Sequence, residues 1–175
     1  MAARRSTGTL TDEAPAEAFL VCVPAAHETG QLLVVNAVRL AQAGAWLSVQ
    51  PHDGRTLVVG PLYLPGESAC HACFRLRRAA ASGYEDDFDL VDAEPTRAAC
   101  PAPIAAVAAG LTATVVLRWL AARDATLPGR CYAIETGTIF GLSAHHVLRV
   151  PRCDACGPGD VSVPSPWFKE TARDD

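Results

Sequence analysis

Basic charge is in short supply in this chain. Its 19 acidic residues outnumber its 15 basic ones for a net charge of −4, and no lysine/arginine stripe appears anywhere along it. Nucleic-acid surfaces are concentrated basic patches, so nucleic acid is not an expected partner. A signal core is lacking too. Arg4 and Arg5 lead into polar residues and Thr11-Asp-Glu-Ala-Pro15 instead of an apolar run, which argues against export and for the cytoplasm. There is no internal repeat. Aromatic residues make up only 6 %, so the core must come from alanine, valine and leucine. With 50 % hydrophobic residues, a chain of 175 is long enough for one domain with a real core. Acid–base chemistry finds no isolated carboxylate pair. Glu85, Asp86, Asp87 and Asp89 are too crowded and read as part of a solvated loop, or else as a docking strip for a partner's arginine-rich helix.

Long apolar runs are likewise missing, with one exception. Residues 104–122 carry no charge before Arg118. Their alanine-rich composition, with Gly110, Thr112 and Thr114, fits a buried helix of a soluble fold better than a membrane span.

What the chain does have is cysteine, seven in all. Two Cys-x-x-Cys pairs, Cys70/Cys73 and Cys153/Cys156, each set two thiolates on one tight knuckle. Two such knuckles supply the four sulfurs of a closed tetrahedral zinc site. With no open position, that zinc is structural and braces distant parts of the chain. Four unrelated cysteines or two redox dithiols are the alternatives, and His71 could serve as a ligand if one cysteine did not. Gly157 after the second knuckle reads as a positive-φ position. Cys22, Cys100 and Cys131 are scattered, as befits a reducing compartment. Cys100, before Pro101 at a helix start, is the candidate reactive thiol. Of His145 and His146 on one strand, only one can face the knuckle.

Periodicity orders the elements as a disordered segment 1–17, a buried strand 19–23, a helix 28–43 stopped by Gly44, a strand 46–50, a turn 51–54 and a strand 55–60. Strand, helix and strand at this spacing form one βαβ unit with a parallel pair. A short arginine-rich helix, 74–80, follows the first knuckle. Residues 82–99 read as a mobile loop and the long helix begins near Pro103. Strands 130–135 and 144–150 read as antiparallel. Residues 159–175 form a flexible proline-rich tail with exposed Trp167 and Phe168.

The segments Gly60-Pro-Leu-Tyr-Leu-Pro-Gly-Glu-Ser-Ala-Cys-His-Ala-Cys-Phe74 and His146-Val-Leu-Arg-Val-Pro-Arg-Cys-Asp-Ala-Cys-Gly157 resemble the C-terminal half of ThiF-like, ubiquitin-activating-type proteins. Within that family they look most like the zinc-bearing partners of YcaO cyclodehydratases. The resemblance covers roughly residues 18–158. It implies an α/β fold that is a truncated ThiF-like domain: a mixed sheet with a βαβ unit, one long buried helix and a zinc-knuckle pair formed by Cys70, Cys73, Cys153 and Cys156.

The departures from that family shape the functional expectation. No glycine-rich phosphate loop follows the first strand, Pro24-Ala25-Ala26 stands at the family's acidic position, and Glu28-Thr29-Gly30-Gln31 stands where its arginine would be. Asn36 is what survives of that motif. ATP is therefore not expected on this chain alone, and neither is catalysis. The expected role is a non-catalytic scaffold for a YcaO-type cyclodehydratase that installs thiazoline or oxazoline rings in a ribosomally made precursor peptide. The peptide would bind here or through a partner. The alternative is a split adenylating or sulfur-carrier-activating enzyme that borrows a partner's nucleotide site and uses Cys100. An open sheet edge beside residues 19–23, and a small-residue helix face of Ala105, Ala108, Ala109 and Thr112, imply a homodimer or hetero-complex.

Overall fold

The computed structural model describes residues 15–25, 29–93, 99–137 and 140–157. The expectations for residues 1–14 and for the tail with Trp167 and Phe168 lie outside the described residues. The elements run β1 (Leu20–Cys22), α1 (Gln31–Ala41), β2 (Trp46–Gln50), β3 (Thr56–Tyr63), α2 (His71–Ser82), a 3-10 turn (Glu85–Asp87), α3 (Phe88–Ala93), α4 (Ala102–Ala122), β4 (Arg130–Glu135) and β5 (Gly141–His146).

One mixed sheet holds the strands in chain order. β1 and β2 are parallel, as a βαβ unit requires, and every later pairing is antiparallel. Both faces of the sheet are covered, so all five positions of β2 are buried. Trp46 and Ser48 face one layer with Tyr63, while Leu47 and Val49 face α4 on the other side. This period-2 division is why β2 reads as a continuous apolar run instead of an alternating one.

Helix α1 buries Leu32, Val35, Asn36 and Arg39 on one stripe. Its end differs from the expected glycine stop, because the left-handed residue is Ala43, at φ 51°. Gly44 is required for another reason. A Cβ there would lie 2.2 Å from the Arg39 guanidinium. That guanidinium is 1 % exposed and donates to the carbonyls of Pro15, Ala16, Ala18 and Ala45. It thereby ties the segment before β1 to the end of α1, with no carboxylate in the arrangement among the described residues.

Three further expectations need correction. The strand expected at 55–60 continues through Pro61 to Tyr63. Proline lacks an N–H, and the ladder with β4 has already ended at Val59. Residues 85–93 are helical, not an irregular loop. Their carboxylates meet the arginines of α2, Asp89 with Arg75 and Asp92 with both Arg75 and Arg78, while Phe88 packs beneath both guanidinium groups. Of the acidic strip's described residues, Asp89 alone meets the arginine-rich helix of its own chain, and Asp86 and Asp87 are exposed.

The long helix is not a buried one. Only Ala108, Val115 and Trp119 are buried, while Val107 is 41 % and Leu117 65 % exposed. The sheet offers α4 a single face, and among the described residues nothing covers the other. By length and composition α4 could cross a membrane, and just 17 % of its most apolar window is buried. Its small-residue face, Ala105, Ala108, Ala109 and Thr112, lines an open cleft beside the sheet, with Ala105 and Ala109 exposed.

Candidate metal centre

Helix α2 begins at the first knuckle. Cys70 is its extended N-cap residue and has no side-chain cap of its own. The orphan N–H of His71 instead donates to Asn36 Oδ1 of α1 at 2.8 Å, a cap supplied across the fold. Cys73 stands three residues on, so both sulfurs leave the first turn on the same side. The second knuckle follows β5. Arg152 takes the left-handed conformation at φ 62°, the Cys153 N–H donates to Val150 O at 3.2 Å, and the Gly157 N–H donates to Cys153 O at 2.6 Å. Gly157 is therefore needed for clearance and not for positive φ, since a Cβ would sit 2.5 Å from Cys153 O.

The four sulfurs converge. Cys70 and Cys73 are 3.8 Å apart, Cys70 and Cys153 3.8 Å, Cys73 and Cys156 3.5 Å, and the whole set lies within 4.8 Å. Bonds of about 2.3 Å to a tetrahedral zinc place sulfurs about 3.8 Å from one another, so the cluster has the dimensions of a closed tetrathiolate site. Disulfides need sulfurs at about 2.05 Å, which this arrangement does not offer. Burial pushes the Cys70 thiol well up from its ordinary value, so a thiolate there needs a cation beside it. The Val150 N–H donates to Cys73 Sγ at 3.3 Å, a hydrogen bond that favours the thiolate. Arg149 ties the knuckles together by donating to Gly66 O and Cys156 O, and Arg77 donates to Leu148 O and Arg149 O.

His71 is not a ligand. Its ring is buried among Trp46, Tyr63 and Phe74, and Nδ1 shares a 2.9 Å hydrogen bond with the Tyr63 hydroxyl. Burial first, then Arg75 and Arg78, hold it at about 3, so the ring is neutral. Neither strand histidine joins the cluster: His145 pairs with Ser143 Oγ at 2.9 Å, and His146 packs by Gly129. Cys22 and Cys131 are core residues, each pushed up to about 11 by burial. Cys100 is exposed, beside the first turn of α4, at a cleft of ≈ 600 Å³ walled by Val49, Leu57, Ala105 and Ala108. Sequence reasoning missed the Asn36 cap on α2 and the burial of Arg39. Their signals were a polar and a charged residue on the apolar stripe of a helix.

No protein-family model and no curated protein matches the chain. Solved structures share its fold. A heterocyclase in complex with substrate and cofactor superposes with a TM-score of 0.65 at 23 % identity, over 84 % of this chain and 21 % of its own. The heterocyclase TruD gives 0.56 at 27 % identity, over 79 % and 22 %. E. coli MccB gives 0.65 at 20 % identity, over 90 % and 44 %. The chain thus spans about a fifth of the heterocyclases and less than half of MccB. Its described residues have the mixed α/β fold of these ThiF-like proteins, with four clustered cysteines compatible with a metal site.

Proposed function

We propose that residues 18–158 are a zinc-braced ThiF-like domain that acts as a non-catalytic scaffold for a YcaO-type cyclodehydratase in the cytoplasm, where azoline rings are installed in a ribosomal precursor peptide. The observation that carries this reading is the convergence of two distant Cys-x-x-Cys knuckles, at zinc-like spacing, in a fold shared with two heterocyclases. Cys70, Cys73, Cys153 and Cys156 would hold the ion. Four ligands leave no position for water or substrate, so the metal would fix α2 against the segment that follows β5 and take no part in chemistry. The uncovered face of α4 supports a partner chain or a second copy, since large exposed apolar surfaces mark interaction sites. The domain would contribute positioning, which lowers a barrier without forming a bond. The test is a reconstituted mixture of cyclodehydratase and precursor peptide. Azoline formation is expected to fall when this chain is omitted, or when it carries Cys153→Ala. Unchanged formation in both cases would end the scaffold reading.

One observation favours a second reading, a split adenylating enzyme. Cys100 is an exposed thiol at the rim of an apolar cleft of ≈ 600 Å³. ATP–pyrophosphate exchange with the candidate partner, lost on Cys100→Ala, would put this reading first.

A further inference from the structure

A groove of ≈ 220 Å³ runs between α1, α2, α3 and the second knuckle. Leu33, Ala72, Leu76, Ala79 and Phe88 make it largely apolar, and Leu76 is 50 % exposed. Asp154 and Ala155 of the knuckle supply a further wall. Small-molecule sites begin at about 300 Å³, so this groove suits one or two side chains better than a free ligand. Its charges are Arg75, which pairs with Asp89 and Asp92, and Asp154, which is exposed and pairs with no cation among the described residues. The described residues stop at Gly157, two positions past Ala155 and so beside that wall. Onward the sequence reads Pro158-Gly-Asp-Val-Ser-Val-Pro-Ser-Pro-Trp-Phe-Lys169. Pro-Gly is a turn dipeptide, suited to sending the chain back on itself. Ten residues separate Gly157 from Trp167, a reach of at most about 35 Å, which is ample for a return to a groove that starts at the knuckle. Pro164 and Pro166 stiffen that stretch and lower the entropy lost on fixing it. Trp167 and Phe168 are the only aromatic residues after the knuckle, and Lys169 sets a cation directly behind them.

We propose that this groove is the seat of the Trp167-Phe168 pair of its own chain, with Lys169 brought to Asp154. Seating the pair takes two aromatic side chains and the exposed part of Leu76 out of water together. Arg75, whose guanidinium already lies 6.0 Å over the Phe88 ring, offers the same stacking to an incoming ring. The tail would then close the groove beside the second knuckle and leave α4 as the apolar face open to a partner. The assignment stands apart from the proposed scaffold role, because its test needs only the full chain.

The experiment follows the indole N–H signal of Trp167 in the ¹⁵N-labelled full chain, where its loss in Trp167→Ala identifies it. The chain has three tryptophans, and the other two, Trp46 and Trp119, are buried and serve as rigid references in the same spectrum. The Trp167 indole is expected to be as rigid as they are on the ps–ns timescale, at a shift away from that of an unfolded peptide. Leu76→Arg changes a half-exposed side chain and is expected to release it to the unfolded-peptide shift, while the Trp46 and Trp119 signals report that the fold is kept. Lys169→Glu, which reverses a charge in the tail itself, is expected to move it part of the way. Leu117→Glu, on the face of α4, is expected to leave it in place. The proposal is overturned by a mobile Trp167 indole in the unaltered chain, or by an unchanged signal in both Leu76→Arg and Lys169→Glu. Release by Leu117→Glu would place the tail on α4 and release on dilution would place it on a second copy, and either result overturns it as well.

Discussion

The two faces of the sheet are finished to different degrees. On the face covered by α1 and α2, most polar groups are matched, with Arg39 Nε an exception among the described residues. Asn36 caps α2, His71 meets Tyr63, Arg75 and Arg78 meet Asp92, and four sulfurs close around one point. On the face covered by α4, one helix packs against residues of four strands. It leaves Val107 and Leu117 in solvent, an apolar cleft at its N-terminal end, and Trp119 Nε1 buried without a partner among the described residues. The first face holds the domain together. The second has apolar surface to spare, and on our account it is where a partner is received.

The largest effect should come from breaking the first face at the knuckles. Cys153→Ala removes one sulfur from a buried set of four and leaves the others without a closed site, so a loss of more than about 4 kcal/mol is expected, seen as a collapse of the thermal transition. Cys22→Ala, equally buried but outside the cluster, should cost less than about 2 kcal/mol. Equal losses in the two variants would erase the distinction between ligand and core cysteine.

Next in size is the Arg39 clamp. Gly44→Ala drives a methyl group into the guanidinium, and Arg39→Met leaves four backbone carbonyls short of a donor. Each should cost about 2–3 kcal/mol in a urea titration. A neutral Gly44→Ala would show that Arg39 can leave its seat cheaply.

These two positions show where sequence reading stops. The βαβ unit, the antiparallel β4 and β5 and the pairing of the knuckles follow from local signals: apolar runs, a helical period and Cys-x-x-Cys spacing. Arg39 and Asn36 do not, because their role is set by carbonyls and an N–H that only the folded chain brings near. The acidic segment 85–89 was misread for a related reason. Its composition is that of a solvated loop, and it becomes helical where α2 supplies two arginines and Phe88 finds a buried seat. The exposure of α4 was also hidden, since an apolar helix reads alike whether one face or all of it is covered.

A smaller effect is expected on the second face. Leu117→Glu should change the stability of the isolated chain by no more than about 0.5 kcal/mol, because the side chain is already 65 % exposed. The same change should weaken co-purification with the cyclodehydratase, or dissociate a homodimer, as read by light scattering. Retained association would move the interface away from α4. Smallest in energy, though sharp in rate, is the contrast among the thiols outside the cluster. At pH 8 iodoacetamide should modify Cys100 at least about tenfold faster than Cys22 or Cys131, whose thiols burial holds protonated up to about 11. Comparable rates would mean that the core opens on the timescale of labelling.

The most direct test of the central claim is native mass spectrometry of the full chain as purified without added metal. The account predicts one zinc ion per chain, with a mass showing that four cysteine protons have been lost, and conversion to a metal-free unfolded charge distribution when a strong chelator is added. A metal-free chain that stays folded, or one whose four knuckle cysteines form two disulfides, would contradict it.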